Sequence, residues 1–150
     1  MRRLPSYDLA LYFASKTSHA WGVDVFTGRL PDTPHEAIAF SDQGGVAPFN
    51  VFGGLGYRQP SLQVLARAPA LQYLRARELI DEVFQVLHCQ VNVEANGNVY
   101  QAIDATGEPI WLGYDESERP LWSLNFTLMF RGGSTIFLSG LIQGVGGGGV

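Results

Sequence analysis

The histidine and cysteine side chains are the first candidates for chemistry in this chain. His88 and Cys89 are adjacent, and no further histidine or cysteine lies at the spacing of a metal site. A cysteine nucleophile needs a base within hydrogen-bonding distance. Neighbouring residues on a helix point about 100° apart, so the His88–Cys89 pair is interpreted as structural, and a base for Cys89 would have to be a histidine that the fold brings close. We therefore predict no catalytic residue and no metal ligand.

Acidic and glycine-rich segments are the other candidates for a chemical site. Asp115, Glu116 and Glu118 do not have the spacing of a calcium-binding EF-hand loop, which needs a central glycine and a final glutamate. The glycine-rich run at 53–56 is not followed by the Lys-Ser or Lys-Thr of a phosphate-binding loop. We predict no cofactor, and we interpret the acidic group as a solvated turn. The chain is not predicted to be an enzyme.

Composition instead favours a protein whose surface is partly buried in contacts with other protein subunits. Hydrophobic residues make up 46% of the chain and charged residues 16%, whereas about 25% charged residues is usual for globular domains. Lys16 is the only lysine, and interfaces favour aromatics and arginine over lysine. The net charge of −4 argues against a free nucleic-acid binder. The sequence contains no run of about 18 apolar residues, so no membrane helix is predicted.

Two helices are predicted to frame the domain. The first spans about 5–15, where proline suits the opening turn and Asp8 complements the helix dipole. The longer helix is predicted over 69–88. Leu71 and Leu74 fall on its polar side, so either this helix begins late or these leucines contact another subunit. Its apolar stripe consists of Ala76, Ile80, Val83, Phe84 and Leu87.

Strand patterns fill the rest of the domain, with strands predicted at 22–27, 36–41, 61–67, 109–113 and 122–130. Asn96-Gly97 predicts a hairpin turn that places Val93 opposite Tyr100 and Val91 opposite Ala102. Alternating large apolar residues predict that 122–130 is a central strand with one buried face. The fold class is therefore α+β, with a mainly antiparallel sheet and two helices packed on one face.

Two glycine-rich stretches do not fit this domain. Residues 42–59 are predicted to form a long loop, and residues 132–150 an apolar, glycine-rich C-terminal extension to a domain of residues 1–131. Both contain large apolar side chains that need a partner to bury them. We predict eight interface residues: Phe49, Phe52, Tyr57, Leu71, Leu74, Ile136, Phe137 and Leu138.

Four short segments occur in a characteristic order and carry a family resemblance. Together they are similar to the small tail terminator proteins, or minor capsid proteins, of long-tailed bacteriophages, and the resemblance spans about residues 8–131. It implies a sheet flanked by helices and a six-membered ring without catalytic residues. The segments are DVFTGRLPDTP (24–34), PSLQVLAR (60–67), LGYDESER (112–119) and LNF (124–126).

The resemblance also implies partners and a location. The ring would cap the tail tube and join it to the head connector or stopper protein, and DNA would pass through its channel without specific binding. The expected location is the virion tail or neck, after assembly in the host cytoplasm, with no membrane partner. We predict that Asp115, Glu116 and Glu118 face the channel, where acidic walls repel phosphate. The alternatives are a head completion, stopper or other neck protein, then a tail tube subunit, and least of all an enzyme.

Overall fold

A computed structural model describes residues 4–49 and 56–131, apart from the side chains of residues 48 and 49. In this part of the chain, two helices pack against a seven-stranded sheet. In chain order the elements are α1 (Pro5–Lys16), β1 (Val25–Thr27), β2 (Ala37–Phe49), β3 (Tyr57–Arg67), α2 (Tyr73–Leu87), β4 (Gln90–Ala95), β5 (Asn98–Ala105), β6 (Ile110–Tyr114) and β7 (Pro120–Arg131).

The sheet is mixed, with the strand order β1-β2-β3-β7-β5-β4. β1 pairs with β2 in parallel, and the other five pairings are antiparallel. β5 and β6 lie one after the other along the same edge of β7: β5 pairs with residues 126–129 and β6 with residues 120–123. β7 is therefore the central strand, as its sequence predicts.

The hydrophobic core lies between the helices and the sheet. The alternating residues of β7, from Trp122 to Phe130, are buried together with side chains of both helices in one cluster. α1 contributes Leu9, Ala10 and Phe13 to that cluster. α2 contributes Ala76, Leu79, Ile80, Val83 and Leu87. Among the described residues, neither helix is both long and apolar enough to cross a membrane.

The hairpin of β4 and β5 has the predicted register, with Val93 opposite Tyr100 and Val91 opposite Ala102. Asn96 and Gly97 have φ values of 52° and 80°, and positive φ at both positions is what a type I′ turn requires. Val93 and Tyr100 are buried, but Val91 is 69% exposed. The face of the hairpin that was predicted to be apolar is therefore buried at Val93 and Tyr100 but exposed at Val91.

The prediction of a long loop over residues 42–59 was wrong. β2 continues to Phe49 and β3 begins at Tyr57, so most of this stretch is a paired two-stranded arm. The pairing shifts register between Gln43 and Val46, where Gly44 and Gly45 lie. A β-bulge inserts an extra residue without ending the strand, which is why glycines that were interpreted as loop residues belong to a strand.

Gly45 should not tolerate a side chain. Its φ is +76°, and an added Cβ would lie 2.7 Å from both Pro60 Cα and Ser61 N and would also clash with the Gln59 carbonyl oxygen. We expect Gly45→Ala to lower the free energy of unfolding by about 1–3 kcal/mol, measured by urea denaturation. Gly44→Ala is the matched control, since nothing lies within 4 Å of its added Cβ. Equal losses in the two variants would contradict this interpretation.

Two boundaries differ from the prediction for backbone reasons. The first strand begins at Val25 because Gly22, with φ +86°, lies in a turn. The long helix begins at Tyr73 rather than near residue 69, because Leu71 has a φ of 63°. A residue in the left-handed region cannot continue into a right-handed helix.

Candidate interface surface

Exposed apolar side chains are concentrated around β6 and the start of α2. Scattered exposed apolar residues are normal, but contiguous ones mark contact sites. Of the thirteen large apolar residues exposed in the described chain, seven lie in these two short segments. We call them the β6 surface: Leu71, Tyr73, Leu74, Ile110, Trp111, Leu112 and Tyr114.

An aromatic cluster fixes the β6 surface to the core. Tyr73, in the first turn of α2, packs on Trp111 of β6 with ring centroids 4.8 Å apart, and on Trp122 at 5.5 Å. Trp111 also contacts Trp122 and Tyr114 at 5.3 and 5.2 Å. Such pairs each add about 0.5–1.5 kcal/mol beyond their area burial. Trp122 is the buried base of the cluster, while Trp111 and Tyr114 leave part of their rings in solvent.

Leu71 is held in a strained conformation at the rim of this surface. Its φ of 63° costs a residue with a Cβ roughly 1–2 kcal/mol, and its N–H donates to the Glu118 carbonyl at 2.9 Å. The side chain is 67% exposed, so little burial within the monomer offsets this strain. Leu74, one turn along, is 74% exposed. The late helix start is thus confirmed, and a contact of both leucines with another subunit stays a prediction.

β6 is an edge strand. It pairs with β7 on one side, from Ile110 opposite Ser123 to Tyr114 opposite Pro120. β4 continues the sheet beyond β5, but no described strand pairs with β6 on the side away from β7. An exposed apolar edge presents unpaired N–H and C=O groups, which makes it a template for pairing with another chain.

A buried arginine fixes the connection between β1 and β2 against the sheet. Arg67 is 4% exposed, and its guanidinium donates to the carbonyls of Pro31 and Pro34 at 2.6 Å and of His35 at 2.9 Å. Burial, followed by the nearby charge of Arg119, lowers the pKa of Arg67. Arg67 follows Ala66 in β3, so its side chain lies on the opposite face of the strand from Ala66, and the connection covers that face.

A second buried arginine joins the same connection to the turn after β6. The Arg119 guanidinium donates to the Asp32 carbonyl at 2.7 Å and to the Asp115 carboxylate at 2.8 Å. Arg67, Asp32 and Arg119 come from three different segments of the family resemblance. Residues far apart in sequence therefore form one rigid unit beside the β6 surface.

The three acidic residues that were predicted to face a channel have different surroundings in the turn after β6. Asp115 accepts hydrogen bonds from the backbone N–H groups of Ser117 and Arg119, both at 2.9 Å. Partial burial raises the pKa of Asp115. These hydrogen bonds and the Arg119 side chain lower it by more, so the pKa lies below its ordinary value. Asp115 thus stabilises the turn, while Glu116 and Glu118 are exposed.

The fold brings Asp104 close to the His88–Cys89 pair, with potential ligand atoms within 4.8 Å of one another. The arrangement does not fit a metal. His88 Nδ1 accepts a hydrogen bond from the Ala105 N–H at 3.0 Å, so in the neutral ring the proton lies on Nε2. Nε2 is the atom near the Cys89 sulfur, at 3.5 Å. Metal binding there would require a protonated Nδ1 facing an N–H donor.

A third polar group, around His19, joins α2 to the segment before β1. The His19 ring has a side-chain exposure of 7%, and its Nδ1 and Nε2 lie 2.6 Å from Asp24 and 2.8 Å from Glu82. The ring stacks on Phe13. Burial lowers the pKa of His19, but the two carboxylates raise it more, so the pKa lies above its ordinary 6.5.

This pKa predicts a pH dependence of stability. A histidine whose pKa is raised in the folded state stabilises the fold fully below its pKa in the unfolded chain. This stabilisation is lost as the pH rises through the folded-state pKa. We expect the urea unfolding midpoint to fall as the pH rises above the ordinary histidine value of 6.5, and to fall less in His19→Gln. His35 and His88 are present in both chains, so the difference reports His19. Parallel pH profiles would contradict this assignment.

The predicted interface residues fall into three groups. Leu71 and Leu74 belong to the β6 surface, and Tyr57 begins β3, half-buried. Phe49 ends β2, and its side chain is not described. Phe52, Ile136, Phe137 and Leu138 lie outside the described residues.

Five members of the β6 surface were not predicted from the sequence. Three large apolar residues in a row within a short strand leave neither face polar, which is the pattern of a strand covered on both faces. The run at 110–112 was interpreted only as an extended piece. The missed residues are Tyr73, Ile110, Trp111, Leu112 and Tyr114.

Comparison with known proteins connects this fold to a family. A family model described as bacteriophage tail terminator protein matches residues 12–130. No curated protein matches the sequence. Twelve chains of solved structures are similar to this one. For one of them the alignment covers 83% of this chain and 90% of the other, with 14% identity and a TM-score of 0.50. At this identity the likeness shows the fold alone.

Proposed function

The chain belongs to the bacteriophage tail terminator family, and on this basis we propose that six copies of it form a ring that caps the tail tube and joins it to the head connector. The family is one of structural tail proteins, not of enzymes, and places the chain in the virion tail. The ring, the hexamer and the two partners, the tail tube protein and the connector or stopper protein, are the proposed part. We propose assembly in the host cytoplasm.

The β6 surface is the observation that carries the ring proposal. Its seven apolar side chains remain exposed after the chain has filled its own core. In a ring each copy uses two different patches, one for each neighbour, and a stable contact buries about 800 Å² on each partner. A second copy covering the β6 surface removes this apolar area and the open β6 edge from solvent.

The rigid connection between β1 and β2 supports contacts outside the ring. Arg67 and Arg119 hold the backbone of residues 31–35 in place before any partner arrives. Binding costs less when the contacting segment is already ordered. We propose that this connection contacts the tail tube or the connector.

We propose that the turn after β6 faces the DNA channel with Asp115, Glu116 and Glu118. Glu116 and Glu118 supply the exposed charge, since Asp115 is paired with Arg119. Like charge keeps the phosphate backbone from adhering to the wall. Double charge reversal, Glu116→Lys with Glu118→Lys, should slow genome passage in a phage ejection assay. Unchanged passage would mean that this turn does not face the channel.

The experiment for the whole proposal combines the purified chain with isolated tails. We expect electron micrographs to show one closed ring at the head-proximal end of each tail, and native mass spectrometry to give six copies per ring. Unlimited polymers would indicate a tail tube subunit. In phage that lack the protein, overlong or unjoined tails are expected. Leaking heads with normal free tails would indicate a stopper protein.

A further inference from the structure

We infer that the open edge of β6 receives residues 134–139 of an adjacent copy, which add a strand to the sheet. This inference rests on the proposed ring, because it names the segment that one copy inserts into the next. Residues 134–139 lie outside the described residues, and their part in the inference comes from their sequence.

The receiving edge has the properties of a strand-addition site. β6 is five residues long, pairs only with β7 in the described chain, and exposes large apolar side chains on both faces. In strand addition, main-chain hydrogen bonds provide affinity, and contacts with alternate side chains provide specificity. The Trp111 and Tyr114 rings offer such contacts on the α2 side. The occupant should therefore be short, extended and uncharged.

Residues 134–139, Ser-Thr-Ile-Phe-Leu-Ser, match that description. Threonine, isoleucine and phenylalanine have high strand propensity. Glycines precede and follow the segment at 132–133 and 140, and glycine weakens strand interiors. Residues 132–150 contain no charged side chain, and neither does β6, so the pairing buries no charge.

Distance indicates that the segment comes from another copy. β6 pairs with β7 at residues 120–123, whereas β7 ends at Arg131. Ser123 and Arg131 are separated by roughly 26 Å at about 3.3 Å per residue. Five residues beyond Arg131, Ile136 can reach at most about 18 Å, and of the whole segment only Ser139, at most about 29 Å away, can reach the near end of β6. The segment therefore cannot pair along its own β6, and the β6 of a neighbour is the available edge.

Disulfide trapping tests the inference on full-length chains bound to tails. Cys89 is the only cysteine, so a Cys89→Ser background is free of thiols. Chains carrying Leu112→Cys are mixed with chains carrying Phe137→Cys, assembled on tails and oxidised. We expect covalent dimers that join one chain of each kind. Val91→Cys, on exposed β4, replaces Leu112→Cys as the control and should give no dimers with Phe137→Cys.

A charge introduced into the segment gives a second readout. Phe137→Asp should weaken ring assembly by at least about tenfold, as loss of an interface anchor does, whereas Val145→Asp in the same extension should not. Rings that form without cross-links and tolerate Phe137→Asp would overturn this inference and leave the ring proposal intact. Cross-links that join two chains of the same kind, or a chain to the tube protein, in place of mixed dimers would also overturn it. Chains that form no ring on tails would instead overturn the proposed function.

Discussion

Replacing Leu74 with arginine should abolish ring assembly and leave the monomer as stable as the natural chain. Leu74 is 74% exposed in the first turn of α2, so the substitution removes little packing from the monomer, and arginine is a good helix former. Within an apolar contact, the same arginine is an unpaired charge. A loss of about 2 kcal/mol weakens a contact roughly 30-fold. Every contact of a ring would carry that loss.

Native mass spectrometry and urea denaturation together measure this result. The matched control is Gln85→Arg, which adds the same charge to an exposed position on the same helix outside the β6 surface. The control should assemble normally. If Leu74→Arg forms rings at the same concentration as the control, the start of α2 lies outside the subunit contact.

Replacing Phe126 with alanine should lower the free energy of unfolding by about 3–5 kcal/mol, as removal of a large core aromatic does. Phe126 is fully buried at the centre of β7, opposite Leu62 on β3 and Ala105 on β5. Domains of this size are stable by about 5–15 kcal/mol, so the loss is a large share of the total. Trp122→Ala should cost a similar amount, because it removes the base of the aromatic cluster.

Thr127→Ala is the control for the core substitution. Thr127 follows Phe126 in β7 and is half-buried, on the opposite face of the strand. We expect its loss to stay within about 1 kcal/mol in the same urea titration. An unchanged unfolding midpoint in Phe126→Ala would mean that β7 does not form the centre of the core.

Local patterns predicted the elements whose cause is local. The alternation in β7 and the Asn96-Gly97 turn depend on residues a few positions apart, and both were located correctly. The β2–β3 arm was missed because Gly44 and Gly45 resemble loop residues. Their role as a bulge depends on pairing with a strand 15 or so residues away.

Long-range polar contacts lay beyond any local pattern. Asp8 was interpreted as a helix-dipole partner, yet it is fully buried. It accepts hydrogen bonds from Asn96 at 2.9 Å, Asn98 at 3.0 Å and Tyr100 at 2.6 Å. A buried carboxylate needs such partners, but nothing in the sequence assigns these three to it. The contacts of Arg67 and Arg119 were missed for the same reason.

The β6 surface shows most clearly what sequence could and could not predict. Leu71 and Leu74 were recognised as out of place on a polar helix face, so an interface was expected there. The β6 residues were not recognised, because a short apolar strand is usually covered by its own domain. Only the placement of β5 and β6 one after the other along β7, with β4 beyond β5, shows that the described strands leave this edge open.

Hydrogen exchange of residues 110–114, in the free chain and in rings bound to tails, tests most directly whether a neighbouring copy covers β6. We expect these amides to exchange readily in the free chain and to become protected when the ring forms. Equal exchange of β6 in both states, with the ring in place on the tail, would mean that no neighbouring copy covers β6.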